Sequence, residues 1–191
     1  MSREFVLDIE TKNTFADVGA NDPSLLEISL IGFYDYANDE FGAYRENELG
    51  KLWPRLEHAE RIIGYNIKAF DYPVMQRYYG GDLSRLPTLD ILEEIKNILG
   101  FRIKLDDVAH HTLGQRKSGD GLKAVEYFRD GNWEALEKYC IDDVRLTRDV
   151  YEFGKKHGEL LYSNRNGPAK MKVQFALPEQ KSHGINLTLP L

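Results

Sequence analysis

The sequence predicts an α/β protein with a mixed central sheet flanked by helices, and three observations support this prediction. Short segments rich in β-branched and aromatic residues are concentrated near the start of the chain. Helical and strand patterns then alternate, and only helical patterns precede a final hairpin pattern. This order is typical of a sheet covered by helices. We expect three antiparallel strands followed by parallel ones.

Length and composition indicate a globular protein. The chain has 191 residues, of which 42% are hydrophobic and 29% charged, so it can form a sizeable core. No apolar run reaches about 18 residues, and no apolar leader opens the chain, so we expect no membrane association. The single cysteine, Cys140, excludes an intrachain disulfide and a multi-cysteine zinc site. We therefore expect a cytoplasmic protein. The net charge of −6 argues against non-specific coating of nucleic acid.

The first part of the chain predicts four strands. Each is a short β-type run bounded by turn residues, at positions 5–9, 26–34, 40–45 and 61–65. Residues 11–24 are rich in Asn, Asp and Gly and predict a loop. Residues 47–59 predict a helix that Pro54 bends or divides.

The rest of the chain predicts mainly helices. Asp71 is expected to cap a helix that ends before Gly80, and Thr88 or Asp90 to open the next. The predicted helices after Asp71 cover residues 72–79, 88–99, 105–113, 122–129 and 133–157. A hairpin is expected from Leu160, with its turn at residues 164–167. We divide the chain into a domain of residues 1–165 and a C-terminal hairpin or tail of residues 166–191, whose role the sequence does not indicate.

The first strand carries two acids on one face. Side chains alternate along a strand, so Asp8 and Glu10 share a face while Phe5, Leu7 and Ile9 share the other. Burying an ionised carboxylate without a partner is strongly unfavourable, so this pair needs either a cation or contact with solvent. A bound metal ion is one explanation. An edge strand with a solvated face is the alternative.

The longest predicted helix separates two adjacent acids. Its inward stripe contains one carboxylate among apolar and aromatic residues, namely Tyr139, Asp143, Leu146, Val150 and Phe153. A second stripe is entirely charged and contains Lys138, Asp142, Arg145, Asp149, Glu152 and Lys156. We expect ion pairs Lys138–Asp142 and Arg145–Asp149 on it. Asp142 is thus a surface residue, whereas Asp143 points inward and needs either a metal ion or a buried Arg or Lys partner.

Three motifs in order resemble a known family. They are Asp8-x-Glu10, Asn66-x-x-x-Phe70-Asp71 and Tyr139-x-x-x-Asp143. Together they resemble the exonuclease motifs of the DEDD family of 3′→5′ exonucleases, which have a ribonuclease H-like fold. A tyrosine four residues before the last acid resembles the DEDDy branch. The resemblance extends over about residues 4–165, and its closing helix and hairpin are similar to bacterial predicted exonucleases with ribonuclease H-like domains.

The resemblance implies a site with two divalent cations, Mg²⁺ or Mn²⁺. In it Asp8 would bridge both ions, and Glu10 would hold one and orient the attacking water. Asp71 and Asp143 would complete the metal shells, and Tyr139 would hydrogen-bond the water or the scissile phosphate. Carboxylate oxygens are the ligands that such hard cations prefer. The implied product is a 5′-mononucleotide released from the free 3′ end of DNA or RNA, expected to be single-stranded.

Substrate contacts are predicted at five further positions. Thr11 follows Glu10, Asn66 and Phe70 precede Asp71, and Lys117 and Ser118 belong to a glycine-rich loop that can hold a phosphate. Phe70 as a core residue, and the loop as a plain loop, are the alternatives. The resemblance implies domains that either stand alone or are fused to helicases, so a helicase or polymerase partner and a domain that acts alone are both open. A structure-specific endonuclease and an inactive nucleic-acid-binding module are the other functions considered.

Overall fold

The protein is represented by a computed structural model that describes residues 3–117, 119 and 121–175. Its sheet has five strands in the spatial order β3-β2-β1-β4-β5. The strands are β1 (Glu4–Thr11), β2 (Ile28–Asp35), β3 (Glu40–Arg45), β4 (Arg61–Gly64) and β5 (Thr88–Asp90). The pairs β1–β2 and β2–β3 are antiparallel, whereas β1–β4 and β4–β5 are parallel. The predicted fold class is therefore confirmed.

Helices flank this sheet. They are α1 (Phe15–Val18), α2 (Trp53–Glu57), α3 (Asp71–Met75), α4 (Ile91–Leu99), α5 (Leu105–Leu113), α6 (Gly121–Arg129) and α7 (Trp133–His157). Short 3₁₀ turns cover Pro23–Leu25, Glu46–Lys51, Gln76–Tyr78 and Leu83–Arg85. A separate antiparallel hairpin, β6 (Glu159–Asn164) and β7 (Gly167–Lys172), follows α7. Across the described part of the chain, every helix is too short or too polar to cross a membrane.

The structure corrects three of the predicted elements. The predicted loop contains α1, which Thr14 opens by accepting the amide of Asp17 while the Asp17 carboxylate accepts the amide of Thr14. The predicted helix of residues 47–59 is a 3₁₀ turn followed by α2, with Pro54 in the first turn of α2. The helix expected from residue 88 begins only at Ile91, because residues 88–90 pair with β4 as a strand.

Strand β1 is central in the sheet, which rules out the edge-strand alternative. Its neighbours are β2 on one side and β4 on the other. Phe5, Leu7 and Ile9 point into the core beneath α2 and α3, whereas Val6 belongs to the core beneath α5 and α7. Asp8 and Glu10 share the face of Val6, as the alternation predicts, and therefore lie on the side that α7 covers.

The close packing of α7 on the sheet depends on a glycine. Gly32 lies opposite Asp8 in the β1–β2 pair. A Cβ atom at Gly32 would lie 2.7 Å from the Cys140 Sγ and 3.1 Å from the Val144 Cγ2, both on α7. Only a residue without a side chain allows the helix this close to the strands. This approach brings the face of α7 that carries Asp143 towards β1.

A polar network joins the opposite end of β1 to the chain beyond the hairpin. The fully buried Glu4 carboxylate accepts hydrogen bonds from Arg61 Nε at 3.0 Å, Tyr151 Oη at 2.6 Å and Lys155 Nζ at 2.9 Å. Arg61 also donates to the carbonyl of Phe175 at 2.7 Å. The hairpin was predicted with its turn at residues 164–167, and the strands confirm it. The division at residue 165 stays a prediction, and residues 176–191 of the expected tail lie outside the described residues.

Candidate active site

Four acidic side chains from three elements meet near the end of β1. Asp8 is half-buried and faces a cavity, and Glu10, two residues later, is 7% exposed. Asp71 begins α3 just after β4, and Asp143 lies in the middle of α7. The strands β1 and β4 are parallel, so Glu10 and the connection to Asp71 leave the sheet at the same edge.

Asp71 is not the cap of α3, so the predicted capping role is wrong. Phe70 occupies the cap position, and the amide of Tyr72 already bonds the carbonyl of Ile67 at 2.9 Å. Asp71 is therefore the first helical residue, 4% exposed, and its carboxylate lines the same cavity as Asp8. Backbone hydrogen bonds from its own amide and from that of Ile9 hold this carboxylate at the cavity wall.

Asp143 faces inward, as the helical stripe predicts. Its side chain is 3% exposed, whereas that of Asp142 is 36% exposed and pairs with Lys138 at 2.6 Å. The Asp143 Oδ2 lies 2.7 Å from the ammonium of Lys117, which is the buried ion pair considered as an alternative. The Asp143 Oδ1 is buried without a hydrogen-bond partner among the described residues. The Oδ2 atom of Asp143 thus already contacts a cation, and its Oδ1 atom remains available.

The acids raise one another's pKa. Burial, together with the charge of Asp143, raises the pKa of Asp8 from 3.8 to about 7. Burial raises the pKa of Glu10 well above its ordinary value, and the charges of Asp8, Asp143 and Asp71 raise it further. Burial and Asp8 do the same to the pKa of Asp71. Without a multivalent cation, this cluster retains protons at neutral pH.

Lys117 opposes this repulsion. Burial raises the pKa of Asp143, and the neighbouring Lys117 ammonium lowers it. The same ammonium also lowers the pKa values of Asp8 and Glu10. Lys117 was predicted to contact a substrate phosphate, which stays a prediction; the structure places its ammonium 2.7 Å from Asp143 in the wall of a cavity beside the acids. Its backbone amide bonds the Asp106 carboxylate at 2.8 Å, which fixes this part of the loop.

Cys140 lies beside the acids, but its thiol is not one of the candidate metal ligands. One ligand atom each from Asp8, Glu10 and Cys140 lie within 4.8 Å of one another. However, Cys140 is fully buried, and burial raises the pKa of its thiol well above the ordinary value. Hard divalent cations prefer oxygen to sulfur ligands, so we interpret Cys140 as a packing group rather than a ligand. The available donors are carboxylate oxygens, which fit Mg²⁺ or Mn²⁺.

A cavity of about 490 Å³ opens over the acids, and most predicted substrate residues line it. Thr11, Asn66, Phe70 and Lys117 lie in its wall, together with Tyr139, which is 4% exposed. Its volume is within the range of sites for small ligands. Ser118 lies outside the described residues.

Sequence reasoning missed one side of this cavity. Thr14 and Phe15 of α1 line it, and the Phe15 ring packs edge-to-face on that of Phe70 at 6.2 Å. The pattern Thr14-x-x-Asp17 is a capping signature that would have revealed α1. Leu122 and Val125 of α6 complete the apolar part of the wall.

Comparison with known proteins gives one family and several similar folds. A profile described as the RNase H superfamily matches residues 5–153. No curated protein matches the chain significantly. The family B DNA polymerase from the hyperthermophilic archaeon Pyrobaculum calidifontis is similar in structure, with a TM-score of 0.61 and 18% identity, over 81% of this chain and 24% of the polymerase.

Trypanosoma brucei RNase D is also similar in structure. Its TM-score is 0.61 at 17% identity, over 80% of this chain and 57% of RNase D. The chain thus spans less than two thirds of the length of either protein, and at these identities the likeness concerns the fold.

Proposed function

Because this chain belongs to the RNase H superfamily, we propose that it is a metal-dependent 3′→5′ exonuclease that hydrolyses DNA or RNA to 5′-mononucleotides. One observation carries the proposal: Asp8, Glu10 and Asp71 line one cavity together with Tyr139 and Lys117, and Asp143 lies directly behind that wall, 2.7 Å from the Lys117 ammonium. Their order along the chain resembles the DEDDy exonucleases. The names of the two similar structures, a DNA polymerase and an RNase, agree with a nucleic-acid substrate.

The donor set fits two divalent cations. Glu10, Asp71 and Asp143 are buried and Asp8 is half-buried, and all four carboxyl groups have raised pKa values, so a multivalent cation would relieve their repulsion through oxygen ligands. Asp8, Glu10, Asp71 and Asp143 would together hold these ions through their carboxylate oxygens. When bound, such ions stabilise charge on the attacking and leaving oxygens of the phosphodiester and lower the pKa of a bound water.

Glu10 and Tyr139 have separate roles in the proposed hydrolysis. Glu10 orients the attacking water, and its carboxyl, whose pKa burial and the neighbouring acids raise, acts as the acceptor once it is ionised. Tyr139 donates to the water or to the scissile phosphate from the cavity wall. Water adds to phosphorus, the bond to the 3′ oxygen of the preceding nucleotide breaks, and that oxygen takes up a proton. The shortened strand keeps a 3′-hydroxyl and the product carries a 5′-phosphate.

The terminal nucleotide occupies the cavity in this proposal. Phe70 offers an aromatic ring beside Phe15 for the base, and Asn66 lines the same cavity. The backbone at Thr11, just beyond Glu10, reaches the 3′-hydroxyl. We place the enzyme in the cytoplasm, working beside a helicase or polymerase. Co-purification of the tagged chain with such an enzyme would support this partnership.

A direct assay tests the activity. Single-stranded DNA and RNA labelled at the 5′ end are incubated with Mg²⁺, Mn²⁺ or EDTA. We expect a ladder that shortens from the 3′ end with either metal and no reaction in EDTA. A discrete internal cut would indicate an endonuclease, and strand binding with the same lack of hydrolysis in wild type and Asp8→Ala would indicate a binding module. Either result contradicts the proposal.

A further inference from the structure

A second cavity continues from the candidate active site towards the hairpin. Its volume is about 800 Å³, and it shares Tyr65 and Lys117 with the site cavity. Two smaller depressions follow it. The first shares Arg102 with the second cavity, and the next shares Phe101 with the first depression and ends at the turn of the β6–β7 hairpin. We call this continuous surface the trough. It starts at the acids and runs over the connection between α4 and α5.

The trough is basic in a chain that is acidic overall. Arg102, Lys104 and Arg116 line it beside Lys117, with Asp106 as the acid facing the second cavity. Arg116 pairs with Asp106 at 3.1 Å, yet its side chain remains 61% exposed. Arg102 donates to the neutral Asn66 Oδ1 at 2.6 Å, and within residues 3–117, 119 and 121–175 neither Arg102 nor Lys104 forms an ion pair. The net charge of the chain is −6, yet among the described residues the cations that line the trough outnumber the carboxylates by five to two, namely Arg102, Lys104, Arg116, Lys117 and Arg165 against Asp106 and Asp107.

An exposed aromatic residue lies farther along the trough. Phe101 is 51% exposed and lies edge-to-face on Tyr162 of the hairpin, with ring centroids 6.4 Å apart. Arg165, at the hairpin turn, lines the same depression. An unpaired base can stack on such a ring, whereas a base inside a duplex is already stacked. Cations followed by an aromatic platform are the usual elements of a single-strand path.

We infer that the trough binds the single strand on the 5′ side of the terminal nucleotide. Arg102, Lys104 and Arg116 contact successive phosphates, and Phe101 stacks on a base farther upstream. This inference rests on the proposed function for the position of the 3′ end, and it adds a substrate class: single strands long enough to reach the α4–α5 connection. Arg102 links the two cavities because its partner Asn66 lines the site cavity.

The test compares short and long strands. Binding of 5′-fluorescein oligothymidylates of about 4 and about 14 nucleotides is measured by anisotropy in EDTA, where hydrolysis is blocked. Wild type is expected to bind the long strand more tightly. In Arg102→Gln/Lys104→Gln most of this gain should disappear, and the slope of log K against log salt should fall by about 1.4, the value for two phosphate contacts. Phe101→Ala should reduce the gain about tenfold without changing the slope.

A matched control removes the same charge elsewhere. Arg85→Gln/Lys156→Gln changes two exposed cations outside the trough and should keep the full gain and slope. Equal losses in both double variants, or no loss in either, would overturn the inference. Hydrolysis of the same strands in Mn²⁺ separates the two proposals. If strand binding depends on the trough residues but no strand is hydrolysed, only the exonuclease proposal is refuted. If strands are hydrolysed but their binding does not depend on the trough residues, only this inference is refuted.

Discussion

Replacing Gly32 by alanine tests how α7 is held over β1. The new Cβ would lie 2.7 Å from the Cys140 Sγ and 3.1 Å from the Val144 Cγ2. Both contacts are shorter than ordinary van der Waals separation, and neither neighbour is a flexible chain end. Such overpacking lowers the free energy of unfolding by about 1–3 kcal/mol, which corresponds to a fall in Tm of about 2–12 °C for a chain of this size. A displaced α7 would also move Asp143 away from Asp8. We therefore expect a loss of activity larger than the loss of folded protein alone would cause.

Thermal unfolding followed by circular dichroism measures the first effect, and the exonuclease assay the second. Gly50→Ala is the matched control, because a Cβ there meets nothing within 4 Å. It should leave the Tm within a few degrees of wild type. Adding Cys140→Ala to Gly32→Ala removes the 2.7 Å contact and should recover part of the Tm. A Gly32→Ala protein with the stability and activity of wild type would refute the argument.

The remaining predictions concern charge in the site. The pKa of Asp8 is raised to about 7 in the folded state from its ordinary value of 3.8, so the folded protein binds more protons than the unfolded chain between these values. Metal-free wild type should therefore lose stability relative to Asp8→Asn as pH rises from about 4 to about 7; Tm–pH curves of the same shape for the two proteins would contradict this. Mn²⁺ affinity, measured by calorimetry, should increase over the same range because the ligands must lose protons, and a flat profile would count against these ligands. Lys117→Met removes the ammonium that lowers the carboxyl pKa values, so Mn²⁺ affinity should increase more steeply with pH in this variant than in wild type. The same pH dependence in both proteins would show that Lys117 does not act on the acids.

Periodicity was sufficient where a side chain's direction follows from its own element. Alternation along β1 placed Asp8 and Glu10 on the face beneath α7, and the 3.6-residue repeat separated Asp143 from Asp142. The pair Lys138–Asp142 formed as predicted, since both residues lie one turn apart on a solvated face.

Contacts between distant segments were not predictable in this way. Asp149 pairs with Arg148, and Arg145 instead lies over the Phe41 ring of β3 at 4.3 Å. β5 has only three residues and exists because it pairs with β4. The ion pair of Lys117 with Asp143 joins a loop to a distant helix, and no local pattern specifies it.

The proposal of a four-carboxylate metal site is tested most directly by comparing two adjacent acids. Mn²⁺ binding to Asp143→Asn and Asp142→Asn is measured by titration calorimetry without nucleic acid. Asp142 pairs with Lys138 on the surface, so its variant should bind Mn²⁺ like wild type. Asp143→Asn removes a buried carboxylate that the proposal assigns to the metal. Replacing a residue that only supports a metal ligand typically weakens metal binding about 10–100-fold, so we expect a larger loss for Asp143→Asn. Equal affinity in the two variants would contradict the site.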